Sequence, residues 1–347
     1  GFTFATITLM FLDPILYFFG GSDQTVGYAR DYMQIILLGN IITHMYLGLN
    51  AVLRSSGHPK QAMYATIATV IINTVLDPIF IFWFDWGIRG AAIATVIAQL
   101  VSLMWLLKLF SNKEELLHFS KGIFRLKRKI VFNSLAIGLS PFLMNVASCL
   151  IVILINKGLT KYGGDYAVGA YGIVNRLVFM IVMVVMGLNQ GMQPIAGYNY
   201  GARQFDRVNR VMRLTIYAAT LVTTAAFLTG AFIPELVARA FTTDDELIRQ
   251  AAHGLFLLVL AFPIVGFQMV TVNFFQSIGH AGKSIFLSVT RQMLFLIPLL
   301  ALLPQWWELD GVWLSMPASD AISFCVSISM FVYMAKKIKR NETHRTA

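Results

Sequence analysis

Two aspartates, Asp77 and Asp320, fall well inside long apolar stretches, while nearly all other acids fall at the ends of such stretches or between them. An ionised Asp near the centre of a membrane helix costs about 2.5–3.5 kcal/mol on insertion scales, so it normally faces a partner or a wet cavity. Asp77 has the richer surroundings. Asn73 stands four residues earlier, which on a helix puts both side chains on one face. Pro78 follows directly and has no N–H to give to the carbonyl of Thr74. A carboxylate, an amide oxygen and a spare carbonyl are hard oxygen ligands, or a proton acceptor in a polar cradle. The same residues also fit a kinked helix with a polar packing contact. Thr95 and Gln99 share a face of the next apolar stretch; Thr95 either completes the Asp77 site or bonds its own helix backbone.

The remaining polar candidates are less specific. Asp320 follows Met316-Pro317 and faces either a cavity or water near the surface. Asn189, Gln190 and Gln193 either line a vestibule or make interhelical hydrogen bonds, each worth about 0.6 kcal/mol. Arg176 is read as the one basic residue inside a helix, and it either pairs with a carboxylate or snorkels outward. No HExxH, GxSxG, Walker A or paired-carboxylate metal motif appears, so an enzyme is not expected and no cofactor is implied.

The elements that must position these residues are membrane helices. Of 347 residues, 57% are hydrophobic and 13% charged, with mean hydropathy +0.69; a soluble domain usually has about a quarter charged. The apolar residues form ten blocks, about 1–20, 32–53, 62–84, 90–110, 134–157, 167–196, 211–234, 249–276, 285–304 and 311–335, each near the roughly 20 residues a bilayer core needs. They lack period-two alternation, which disfavours a β-barrel, and backbone groups in lipid must be satisfied internally. The expectation is an all-α polytopic membrane protein.

The net charge of +10 does not point to nucleic acid. With the tail after 335 in the cytoplasm, most of the 27 Lys and Arg fall in cytoplasmic segments, while outer loops hold Arg30, Arg89, Lys157, Lys161, Arg239 and Arg249. This is the positive-inside bias. Cys149 and Cys325 sit in helices and read as small apolar fillers.

The chain resembles itself at an offset of about 222 residues, as parallel repeats of transporters do. Asn50 through Gly57-His58-Pro59-Lys60 parallels Asn273 through Gly279-His280-Ala281-Gly282-Lys283, and Gly90 through Gln99 parallels Gly311 through Asp320. The expected domains are an N-lobe at 1–110, a basic inner-surface connector at 111–133, a six-helix C-lobe at 134–338 and a cytoplasmic tail at 339–347. The first lobe has four blocks, and Gly1 opens inside one, so two helices and roughly 90 residues are expected before it by the repeat logic.

Four stretches carry a family resemblance: Asn50-Ala-Val-Leu-Arg54-Ser-Ser-Gly57-His-Pro59; Asn73-Thr-Val-Leu-Asp77-Pro78; Gly87-Ile-Arg-Gly90-Ala-Ala-Ile-Ala-Thr95; and Gly187-Leu-Asn-Gln190-Gly191-Met-Gln193-Pro194-Ile-Ala-Gly197-Tyr-Asn199-Tyr-Gly201. With them the sequence resembles the multidrug and toxic compound extrusion (MATE) family, in its MepA-like bacterial branch. The resemblance implies twelve helices in two six-helix lobes forming a V, ten of them in this chain. It implies a monomer in a bacterial inner membrane, exporting cationic amphipathic drugs or toxins against Na⁺ or H⁺. Asn73, Asp77 and Thr95 match the family's N-lobe cation ligands, completed there by an Asp on the first helix. Asn50, Thr95 and Gln99 match positions near substrate, and Asn145, Arg176, Gln190 and Gln193 join them as cavity candidates. Family members with a C-lobe cation site carry a Glu on the seventh helix; here Gly138-Leu-Ser-Pro141-Phe-Leu-Met-Asn145 has no acid. The alternative is a flippase of the wider superfamily moving a lipid-linked saccharide, disfavoured by Arg176 being the one basic residue read inside a helix.

Overall fold

A computed structural model describes residues 2–18, 26–112, 118 and 127–346. Most of the predicted connector at 111–133 lies outside them. In chain order the helices are α1 (Phe2–Met10), α2 (Leu12–Phe18), α3 (Val26–Leu38), α4 (Asn40–Ser55), α5 (Pro59–Pro78), α6 (Gly87–Ser111), α7 (Arg128–Gly201), α8 (Phe205–Phe232), α9 (Pro234–Arg239), α10 (Asp245–Val259), α11 (Phe262–Ser277), α12 (Ala281–Val289), α13 (Ile297–Leu302) and α14 (Pro304–Thr346). Two π-helical stretches, Ile79–Trp83 and Thr290–Leu296, continue α5 and join α12 to α13. No strand occurs among the described residues.

Among the described residues, six helices are long and apolar enough to cross a membrane, or eight if each bent pair is one span. The predicted count is higher for identifiable reasons. α7 is 74 residues long but breaks at Gly164 (φ 65°, ψ −159°), so it contains two of the predicted blocks. Ile151, Ile155 and Leu159 before the break share one apolar cluster with Ala167, Ala170 and Val174 after it. The first predicted block is divided into the short α1 and α2. α14 also breaks, at Trp307 and Glu308, but Ala281–Leu302 and Pro304–Tyr333 still match the last two predicted blocks.

The chain divides into two compact units, Gly1–Arg125 and Leu126–Ala347. In the first, α5 packs on α6 around Tyr46, Leu53, Ala62, Ala65, Leu103, Leu106 and Phe110. The second holds two cores, one around Trp313 and Phe262, the other around Phe274, Phe275 and Met192. Large apolar side chains such as Phe82 and Trp83 are about four-fifths exposed (79% and 80%), as expected where the solvent is lipid rather than water.

Each unit repeats features of the other. α3 and α4 bend by 54° at Gly39, and α10 and α11 by 56° across Leu260 and Ala261. Gly57 and Gly279 take positive φ, 94° and 79°, in the turns that lead into α5 and α12; such a conformation favours glycine. A Cβ on Gly90 would lie 2.6 Å from the Phe80 carbonyl oxygen, and one on Gly311 would strike the Leu303 carbonyl in the same way. Both glycines therefore let a helix return against the backbone of the one before it.

Candidate cation and substrate site

The α5–α6 packing brings the central residues together. Ala92, Ala94 and Ala98 on α6 are fully buried (each 0%); small side chains let helix backbones approach closely. Gly90 fixes the start of α6 against Phe80, so Thr95 comes level with Asn73. Asn73 Nδ2 donates to Asp77 Oδ1 at 3.0 Å and to Thr95 Oγ1 at 3.4 Å. Thr95 Oγ1 in turn donates to the Ala91 carbonyl at 3.0 Å. The two readings of Thr95 thus coexist: its proton goes to its own helix, and its lone pairs face Asn73. All three side chains are half-buried. Among the described residues no Lys, Arg or His pairs with Asp77. No group of three or more His, Cys, Asp or Glu that could hold a metal occurs there either. The cluster offers oxygen and amide groups around one carboxylate, which suits a proton as it stands. A Na⁺ ion requires the Asn73 amide to turn its oxygen inward, a rotation that exchanges two nearly isosteric ends.

Gln99 lies one turn beyond Thr95, half-buried, with Oε1 accepting a bond from Thr43 Oγ1 on α4. A polar row of Asn73, Asp77, Thr95, Gln99 and Thr43 therefore links α4, α5 and α6. Nothing in the sequence marked Thr43 for it. Asn50 stands apart from this row. It is buried (5% exposed), and its amide donates to the Ala62 carbonyl at 2.9 Å and to Thr66 Oγ1 at 3.4 Å. In this structure it ties α4 to α5.

In the second unit the candidates do not form one cluster. Asn145 is exposed and donates to the Pro141 carbonyl of its own helix at 2.8 Å. Gln193 Nε2 donates to Asn273 Oδ1 on α11 at 2.9 Å, which is the interhelical bond allowed for it above. Gln190 and Arg176 are exposed, and among the described residues no ion pair to Arg176 occurs. Asn189 is buried, and neither end of its amide has a hydrogen-bond partner. Cys149 and Cys325 are both free and exposed on their helices.

Two sequence expectations need correction. Asp320 is neither hydrated nor open: it is 7% exposed and pairs with Arg291 Nε at 2.7 Å. Arg176 is not the only basic residue inside a helix, because Arg291 lies in the membrane-length segment Ala281–Leu302. That residue was legible in principle, since a charge within an apolar block demands a partner. An anionic lipid substrate gains no spare cation from it, because the Arg291 charge is already matched by Asp320.

Membrane-length apolar helices, with a carboxylate cradled by neutral polar groups between two of them, define a polytopic α-helical membrane protein of the secondary-transporter type. The MatE family model matches residues 1–79 and 136–302, and the chain belongs to that family. Over 332 residues it is 26% identical to the multidrug export protein MepA of Staphylococcus haemolyticus (strain JCSC1435), spanning 96% of this chain and 72% of the relative. The MepA of Staphylococcus aureus (strain MSSA476) is 24% identical over 326 residues, spanning 94% and 71%. Among solved structures, the MATE multidrug transporter DinF-BH matches with a TM-score of 0.87 and 34% identity, covering 97% of this chain and 76% of that one. A MATE crystal structure in complex with MaL6 matches with a TM-score of 0.89 at 22% identity, covering 98% and 77%. The protein therefore has the MATE fold. It is a multi-pass membrane transporter rather than an enzyme, with multidrug efflux proteins as its relatives.

Proposed function

We propose that the protein is a multidrug efflux antiporter, exporting cationic amphipathic compounds in exchange for Na⁺ or H⁺ by alternating access. The observation that carries this reading is the Asn73–Asp77–Thr95 cluster, a carboxylate on a membrane-length helix with neutral polar neighbours and no described cationic partner. A lone charge in that setting is costly, so it favours whichever cation is available. With Asp77 ionised and cation-free, a cationic compound gains from its charge. When H⁺ or Na⁺ arrives from outside, the site becomes neutral, the attraction is lost and the compound leaves. Two ligands that compete for one charge are coupled reciprocally, which is the thermodynamic content of antiport.

The polar row continuing through Gln99 and Thr43 provides hydrogen bonds on the substrate side of this exchange. Asn145, Arg176, Gln190 and Gln193 are the candidate substrate contacts of the second unit. The transporter is read as a monomer in the bacterial inner membrane, surrounded by lipid, with its C-terminus in the cytoplasm. The relatives named as multidrug exporters support the substrate class.

The test is ethidium efflux from cells expressing the protein with whatever segment precedes Gly1 in its gene. Wild type and Asp77→Asn are compared under imposed Na⁺ and H⁺ gradients. Efflux that follows one gradient and disappears in the variant is expected. Efflux indifferent to both gradients, or retained in the variant, would sink the exchange mechanism.

A further inference from the structure

Asp320 is the second carboxylate held within a membrane-length helix, and its surroundings differ in kind from those of Asp77. Its side chain is 10% exposed, and Arg291 Nε meets Oδ1 at 2.7 Å. Bonds to the backbone staple the same region. Ser319 Oγ donates to the Arg291 carbonyl at 2.8 Å, and the Gln268 amide donates to the Asp320 carbonyl. Arg291 and Asp320 are therefore locked in register by contacts that do not depend on their charges.

No other described cation pairs with Asp320. α11 and α13, packed against α14, contain no Asp, Glu, Lys, Arg or His. On α10, His253 is bonded to Asp310 at 2.7 Å, while Glu246 is bonded to Arg249 at 2.6 Å. Lys283 of α12 lies over the rings of Phe275 and Tyr333. The charges of α8 sit near its start, at Asp206, Arg207, Arg210 and Arg213. On α7, Arg176 is exposed.

A buried carboxylate needs a positive charge, and that charge can be a bound ion or one attached to the chain. An attached one acts at an effective concentration of roughly millimolar or more, set by its tether. We infer that Arg291 is a tethered counter-ion filling the cation position beside Asp320, so that the second unit stays permanently loaded and ion exchange belongs to the first unit, which carries Asp77. The inference extends the exchange mechanism proposed above to the second unit, but its test reads cation uptake and not drug export.

The experiment measures radioactive sodium binding and proton uptake by purified protein in detergent. It compares wild type, Arg291→Gln, Arg291→Lys, Asp320→Asn and the double variant Arg291→Gln/Asp320→Asn. Arg291→Gln should take up about one cation more per protein than wild type, because the carboxylate it exposes must then be neutralised from solution. Arg291→Lys and the double variant should match wild type. No extra uptake by Arg291→Gln would overturn the inference. Should Arg291→Gln not survive purification, Asp320→Asn decides: uptake equal to wild type upholds the tethered counter-ion, and a lost cation overturns it. A protein that exports no dye can still pass or fail this assay, so the two readings fail separately.

Discussion

Asp77 and Asp320 are both carboxylates on membrane-length helices, but Asp77 takes its partner from its own helix and Asp320 from a neighbouring segment. Asp77 receives an amide N–H from Asn73, which is itself bonded to Thr95. Asp320 receives a guanidinium. Neutral donors stabilise a negative charge without cancelling it, whereas an arginine cancels it. On the exchange mechanism proposed above, one unit keeps an unmatched charge available for exchange, and the other uses the same chemistry for cohesion. Coupling capacity follows from what a membrane carboxylate lacks as much as from its presence.

The largest expected effects separate stability from transport. Arg291→Gln leaves a buried charge without its partner and should lower stability by about 3 kcal/mol, read as a fall in the thermal midpoint of the purified protein. Adding Asp320→Asn should recover most of that loss. Asp77→Asn should leave the midpoint close to wild type while abolishing dye efflux. If Asp77→Asn proves the more destabilising of the two, the contrast between the aspartates is wrong.

Packing comes next. Gly90→Val drives a side chain into the Phe80 carbonyl and should cost about 1–3 kcal/mol by overpacking, pushing Thr95 away from Asn73. Gly48→Val, where nothing lies within 4 Å of the added Cβ, is the control. Equal efflux from the two variants would mean that the α5–α6 approach does not position the site. The smallest effect is at Thr95→Val, which removes one hydrogen-bonding group. A typical net bond of about 1 kcal/mol corresponds to roughly fivefold weaker coupling-cation affinity, read from the cation dependence of efflux.

Much of the first unit's site was legible in the sequence because its signals are local. Asn73 and Asp77 are one helical turn apart, Pro78 punctuates the helix, and Gly90 followed by small residues announces a close approach that brings Thr95 in. The second unit's pair was not legible in the same way. Arg291 lies within its apolar block, where the charge calls for a partner without naming it. Its meeting with Asp320 depends on the register of two helices across a break, which spacing along the chain does not reveal. Asn50 illustrates a different limit. A polar residue on an apolar helix satisfies the same sequence pattern whether it lines a cavity or caps a neighbour's carbonyl, and here it does the latter at Ala62. The span count differs at Gly164, where a single positive-φ residue divides the otherwise continuous α7, and in the first block, which is divided into the short α1 and α2.

The π-helical stretch at Thr290–Leu296 has a consequence for descent. Such a stretch behaves as an α-helix into which one residue has been inserted, and each helical residue turns the chain by about 100°. Losing a single codon there would restore the ordinary winding and oblige one flank of the segment to rotate by that angle. If the flank bearing Arg291 gave way, the guanidinium would leave Asp320 with every residue type around it unchanged. On the counter-ion inference above, the cation-binding capacity of such a lineage would be altered by a deletion, with no substitution at either member of the pair.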